Sequence, residues 1–152
     1  MSPGGAAADT GCHNRSMPVP IDLSYEGDLH CSLTHGPSGT EITTDAPRDN
    51  RGKGAAFSPT DLVGAALGSC MLTTMGIVAR DRGWDIDGAK AHVEKDMGST
   101  PRRHIAKLTM QLTMPKALDA EARGVLEETA RTCPVASSLG DKIEVDLSFR
   151  YV

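Results

Sequence analysis

From residue 20 onward, apolar and polar positions follow either a period of two or a helical period along most of the chain. Ile21–Tyr25 and Leu29–Thr34 read as two short strands turning at Glu26-Gly27-Asp28. His35-Gly36-Pro37-Ser38-Gly39 makes a second turn, and a third strand follows around Glu41–Thr44. Further on, a strand near Lys90–Asp96 precedes a longer one, Ile105–Met114, in which Leu108, Met110, Leu112 and Met114 alternate with polar residues until Pro115 ends it. Near the C-terminus Ile143, Val145, Leu147, Phe149 and Tyr151 alternate strictly. Such alternation marks a sheet with one wet face.

Two segments carry the helical period. Ser58 is an N-cap, Pro59 stands at the first helical position and Asp61 completes a capping box, so a helix is predicted over Pro59–Arg82 with Gly83 as its stop. Leu62, Ala66, Cys70 and Ile77 line one side of it; Val63, Leu67, Met71, Met75 and Val78 line others. A helix apolar nearly all round is expected to be buried. Gly64, Gly68 and Gly76 each cost about 1 kcal/mol of helix propensity, which is tolerable where another element approaches closely. The second helix is capped by Asp119, with Ala122, Val125, Leu126, Ala130 and Cys133 at spacings of three and four. Cys133 precedes Pro134, so its backbone is biased away from the helical region. It is expected to end that helix and cap a short turn, Pro134–Leu139.

The predicted order is βββ-α-ββ-α-β, an α+β domain without the strand–helix alternation of a doubly wound sheet. The 152 residues suit one domain over 20–152, behind a Pro/Gly-rich, small-residue tail at 1–19 expected to be disordered. Asp45–Phe57 is a loop long for a hairpin connection, and it carries Arg48, Arg51 and Lys53. A net charge of −4 and 3% aromatic residues argue against a nucleic-acid partner. No run of apolar residues is expected to span a membrane, and no secretory signal is visible, so a cytoplasmic chain is expected.

Four cysteines then narrow the chemistry: Cys12, Cys31, Cys70 and Cys133, separated by 19, 39 and 63 residues. No Cys-x-x-Cys or His-x-x-x-His spacing supports a metal site, and His30, His35, His92 and His104 show no pairing with a Cys or an acid. Cytoplasmic thiols stay reduced unless they do redox work, leaving working thiols or buried structural ones. Cys12 falls in the tail and Cys31 in an early strand. Cys70 and Cys133 both fall on the inward faces of helices, where they could meet. On local backbone grounds Cys133 is the thiol expected to be activated, since free amides and the dipole at a helix N-terminus favour thiolate.

Two stretches carry a resemblance. Ser58-Pro-Thr-Asp-Leu-Val-Gly-Ala-Ala-Leu-Gly-Ser-Cys70 resembles the central-helix signature of the OsmC/Ohr family, the osmotically inducible protein C and organic hydroperoxide resistance proteins. Thr132-Cys-Pro-Val-Ala-Ser-Ser-Leu139 resembles that family's second motif, and the likeness extends over about Pro20 to Val152. It implies an intertwined homodimer that reduces peroxides, organic ones in preference to hydrogen peroxide, with no bound cofactor and with an external thiol or dithiol as reductant. It implies Cys70 as the thiol that attacks peroxide, Cys133 as the thiol that closes a disulfide on it, and an Arg from the segment before the helix as the activating cation. Arg48 is the first choice for that Arg and Arg51 the fallback; Lys53 lacks the planar fork. One departure is plain: peroxidase members carry a Glu ten residues before the first Cys, where this chain has Thr60. That departure leaves a second expectation open, a non-enzymatic module of the same fold binding a small hydrophobic or thiol ligand at the dimer interface.

Overall fold

The computed structural model describes residues 17–152. Expectations for the first sixteen positions, Cys12 among them, lie outside the described residues. Ten elements follow: β1 (Ile21–Gly27), β2 (His30–His35), β3 (Glu41–Asp45), a 3-10 turn (Arg48–Asn50), α1 (Pro59–Arg82), β4 (Lys90–Gly98), β5 (His104–Met114), α2 (Ala120–Arg131), α3 (Pro134–Leu139) and β6 (Glu144–Tyr151). The α+β class and the order of strands and main helices are those predicted. The added pieces are the 3-10 turn and α3, where the chain completes a helix in place of a simple turn.

The strands form two separate three-stranded sheets. β1, β2 and β3 make an antiparallel meander. In the second sheet β5 is central, antiparallel to β4 but parallel to β6, with Leu108 opposite Val145 and Met110 opposite Leu147. The parallel pairing needs a long crossover, and α2 with α3 supplies it.

The core belongs to the second sheet and the helices. Leu108, Met110 and Leu112 of β5 are fully buried, as are Leu67, Met71 and Met75 of α1 and Leu126 and Ala130 of α2. The alternation predicted for β5 is therefore realised residue by residue. Ser58 caps α1 as expected: its Oγ accepts from Asp61 N (3.2 Å) while the Asp61 carboxylate accepts from Ser58 N (2.7 Å). Asp119 caps α2 through Ala122 N at 2.8 Å.

Two expectations need correction. α1 is not buried all round: Gly64, Leu67, Gly68, Met71, Met75 and Ala79 form one buried stripe, while Ala65, Ala66, Ser69, Thr73 and Ile77 are exposed. The first sheet does not fold back over that outer side. Its apolar face is itself open, with Leu23 66% exposed, Tyr25 64% and Ile42 48%. The second correction concerns length. Leu62–Ala79 is a run of eighteen residues without a charge, and α1 is long and apolar enough to cross a membrane. Its buried stripe packs on β4, β5 and α2, the arrangement of a core helix. Of the three helix glycines, Gly64 and Gly68 face Val93 so closely that a Cβ on either would lie 3.2 Å from a Val93 methyl, whereas Gly76 faces open space.

Candidate active site

The helix that supplies the core also positions Cys70. It stands half-buried midway along α1, one residue before the fully buried Met71. Cys133 reaches the same place from the other side. Pro134 forces the extended backbone at Cys133 (φ −61°, ψ 153°), which ends α2 and starts α3. The turn aims the side chain inward, and the residue is 1% exposed. Both thiols are free, and Cys133 lies beside Cys70, near enough for each to feel the other's charge. The two cysteines that sequence spacing singled out are therefore neighbours across the α1–α3 contact.

Their environments differ, and the difference corrects the expectation drawn from backbone logic. Cys133 Sγ does accept an N–H at the start of α3, from Ala136 at 3.4 Å. Burial nevertheless dominates and pushes the Cys133 thiol above its ordinary pKa, helped by the adjacent Cys70, against the pull of the Ala136 and Val135 amides. A helix N-terminus favours thiolate only as far as desolvation allows. Cys133 is the buried partner and Cys70 the accessible one.

The arginines are placed elsewhere. Arg48 opens the 3-10 turn, and its Nε donates to the Lys53 carbonyl at 3.2 Å. Arg51 is exposed in a left-handed conformation (φ 68°). Among the described residues, no hydrogen bond or ion pair joins either arginine to Cys70 or Cys133. Lys53 is engaged with Asp28. Cys31 is half-buried in β2, opposite Tyr25 and Thr44.

At the start of α1 the structure shows a charge that sequence reasoning missed. Lys95 of β4, with a side chain only 16% exposed, donates to Thr60 Oγ1 (2.8 Å), Asp61 Oδ1 (2.5 Å) and Ser58 Oγ (3.3 Å). Burial pushes the Asp61 carboxyl up, but hydrogen bonds from Lys95 and Ser58 outweigh it and hold it below its ordinary value. Thr60 is thus a ligand of a lysine ammonium. The signal was available in outline: Lys95 interrupts β4 at a position whose parity, shared with Ala91 and Val93, faces the helix.

Two histidines also stand beside carboxylates, contrary to expectation: His30 Nδ1 lies 4.0 Å from buried Asp45, and His92 Nε2 lies 3.4 Å from Glu94. Neither pair is hydrogen-bonded to Cys70 or Cys133. Among the described residues, no three His, Cys, Asp or Glu side chains cluster to hold a metal ion. Cavities of about 520 Å³ and 440 Å³ flank the N-terminal end of α1, the first lined by Lys95 and Phe57, the second by Cys31 and Tyr25; Cys70 lines neither.

Comparison with known proteins fits this arrangement. The sequence model for the OsmC-like protein family matches residues 52–148, a span that includes α1, both thiols and most of β6. The chain belongs to the OsmC-like family. A crystal structure from Psychrobacter arcticus 273-4, provisionally described as an osmotic stress induced and detoxification response protein, is 42% identical; the match covers 91% of this chain and 99% of that one, with a TM-score of 0.82. The OsmC-like fold is also shared with an organic hydroperoxide resistance protein from Legionella pneumophila (18% identity, TM-score 0.70, 88% of this chain and 97% of that one). It is shared likewise with OhrB of Bacillus subtilis (17% identity, TM-score 0.65, 88% and 98%). No curated protein matches the chain.

Proposed function

We propose that this chain is a cysteine-based thiol peroxidase that reduces organic hydroperoxides, and hydrogen peroxide less well, through Cys70 and Cys133. Membership of a family that includes organic hydroperoxide resistance proteins supports a peroxide-related role. The observation that carries the finer reading is the thiol pair itself: two free, neighbouring cysteines, one half-buried and one fully buried with its thiol pKa raised by that burial.

In this reaction the Cys70 thiolate attacks one peroxide oxygen, the O–O bond breaks and the alkoxide leaves as an alcohol after taking a proton. Cys70 becomes a sulfenic acid. The Cys133 sulfur then displaces its hydroxyl as water and closes a disulfide, which protects Cys70 from further oxidation. An external dithiol reopens the bond by exchange, and no resident cofactor takes part.

Arg48, with Arg51 as the alternative, supplies the positive charge that a mid-helix thiolate needs. Neither contacts Cys70 within the chain, which supports a homodimer in which the loop of one copy reaches the thiols of the other. The open apolar face of the first sheet supports the same assembly. The enzyme then works as a cytoplasmic dimer, with peroxide and dithiol as its partners and no call on nucleic acid or membrane.

The test is peroxide consumption. Purified protein is mixed with cumene hydroperoxide and dihydrolipoamide, comparing the unmodified chain with Cys70→Ser and Cys133→Ser. The unmodified chain turns over, Cys70→Ser falls to background and Cys133→Ser loses sustained turnover. A rate no higher than that of Cys70→Ser removes the proposal and leaves the ligand-binding module, for which the replacement of Glu by a Lys95-bound Thr60 is the favouring observation.

A further inference from the structure

One sulfur of the pair holds a second post. Cys133 is the N-cap of α3, with extended backbone and with Sγ accepting the Ala136 N–H at 3.4 Å. The helix leans on that end. It has six residues, no acidic side chain in its first turn and a stop at Gly140 (φ 66°). Helices this short persist only through caps and packing. None of its residues is fully buried, although Val135, Ala136 and Leu139 pack against the core.

The two halves of the pair are unequally free to move. Cys70 lies midway along a 24-residue helix, pinned by the buried Leu67, Met71 and Met75. Cys133 lies at a junction between two helices. A covalent S–S bond holds its atoms at about 2 Å, far closer than two free thiols approach. Closing that gap therefore falls to the Cys133 side chain, whose Sγ is the atom that caps the Ala136 amide at 3.4 Å.

We propose that forming the Cys70–Cys133 disulfide uncaps α3, so that segment 134–143 is held closed in the dithiol state and loosened in the disulfide state. The proposal rests on the peroxidase reading for its natural oxidant, and adds a redox-dependent gate over the buried sulfur. Two thiols become one disulfide as the sulfenic oxygen leaves in water; the freed Ala136 amide turns to solvent. Loosening exposes the Cys133 sulfur to the reducing dithiol only when there is a disulfide to reduce. Reduction returns Sγ to the amide and closes the segment.

Hydrogen exchange read by mass spectrometry on the full chain tests this in three states: reduced, treated with one equivalent of cumene hydroperoxide, and treated with diamide. Diamide takes two hydrogens from the thiol pair and becomes a hydrazine, so it forms the disulfide without peroxide chemistry. Peptide mapping of the same samples reports the Cys70–Cys133 bond. In the disulfide state the α3 amides exchange roughly fivefold faster, the loss of about one N-cap, while those of α2 are unchanged. In Cys133→Ser, where a hydroxyl can take the cap, α3 stays slow and insensitive to either oxidant. A mapped disulfide with equal or slower exchange in α3 overturns the proposal. If peroxide leaves both thiols free while diamide gives the disulfide and fast exchange, the peroxidase reading fails and the uncapping stands. If diamide too forms no such disulfide, the uncapping is overturned.

Discussion

Cys133 lies beside the half-buried Cys70 at a site that is 1% exposed, so two adjacent sulfurs meet water on unequal terms. Because only the thiolate is nucleophilic, iodoacetamide should modify Cys70 several-fold faster than Cys133 at mildly alkaline pH, read by peptide mapping of the folded protein. The same inequality predicts a pH dependence of stability. Cys133 is raised in the folded state, so the unfolded chain loses its thiol proton first. Between the two pKa values the folded form binds more protons, and unfolding free energy falls as pH rises. Its contribution is complete below the ordinary thiol pKa and is lost as pH climbs through the folded value. Tyr151, pushed up by burial and by the Glu127 carboxylate, adds a loss of the same sign. Comparing urea midpoints of the unmodified chain and Cys133→Ser from neutral to alkaline pH isolates the cysteine: the gap between them should shift in favour of the serine variant as pH rises.

Lys95 ties β4 to the first turn of α1 through three oxygens, and removing it leaves Thr60 and a partly exposed Asp61 without their shared donor. Lys95→Met should lower unfolding free energy by roughly 1–2 kcal/mol at neutral pH, the scale of hydrogen bonds to a charged group. The effect is discounted because the Asp61 side chain is 40% exposed. Asp61 is depressed in the folded state, so its share is present above the unfolded carboxyl pKa and disappears as pH falls through the folded one. Urea melts at neutral and strongly acidic pH should therefore show the variant's deficit shrinking in acid. An undiminished deficit there would place the cost in packing of the Lys95 stem and not in its charge.

What the sequence made legible was local. Alternation from Leu108 to Met114, the Ser58–Asp61 box and the Asp119 cap each depend on neighbours within a few residues, and each is found as predicted. The approach of Cys70 and Cys133 was expected from the two motifs, but inward helix faces are not what brings them together. Cys133 caps α3 and does not lie on a helix face, and Cys70 lies beside the buried stripe of α1, with Ala66 and Ile77 of its predicted side exposed. Lys95 was legible only in outline, through its parity with Ala91 and Val93, since a lysine on a strand reads as solvent-facing until its partner on another element is known. The parallel pairing of β6 with β5 was equally hidden: alternation marks a strand but carries no direction. The reading of Cys133 as the activated thiol failed because the helix-end argument is local, whereas desolvation depends on how the whole core closes around the sulfur.

Val93 explains two of the three glycines in α1 and gives a steric prediction. A Cβ at Gly68 would sit 3.2 Å from Val93 Cγ2 and 3.4 Å from Met110 Cε, so a full side chain there has no volume to enter. Leucine is a better helix former than glycine by most of 1 kcal/mol, so propensity alone predicts that Gly68→Leu stabilises. Overpacking should win, with a net loss of roughly 1–3 kcal/mol. Chemical denaturation of the two proteins decides the sign, and a gain in stability would mean that β4 moves away from α1 at little cost.

The open face of the first sheet bears on assembly. Ile21, Leu23, Tyr25, Leu33 and Ile42 share one side of β1–β3, whereas Asp22, Ser24, Glu26 and Ser32 share the other. Exposing the first set while orienting the polar set outward makes sense only if the apolar side is covered. Sedimentation of the unmodified chain should give a species of twice the 16.0 kDa chain mass. Leu23 is 66% exposed in the single chain, so Leu23→Asp has little to disturb within it. It would instead bury a carboxylate in the interface and weaken the dimer by roughly 100-fold or more. Ser24→Asp, one residue away on the polar side, should leave the dimer intact. If the homodimer also completes the thiol site, Leu23→Asp should lose peroxide consumption in step with dimer dissociation and regain it at protein concentrations high enough to restore the dimer. A chain that sediments at 16.0 kDa across the micromolar range would remove the dimer, and with it the supply of Arg48 from a second copy.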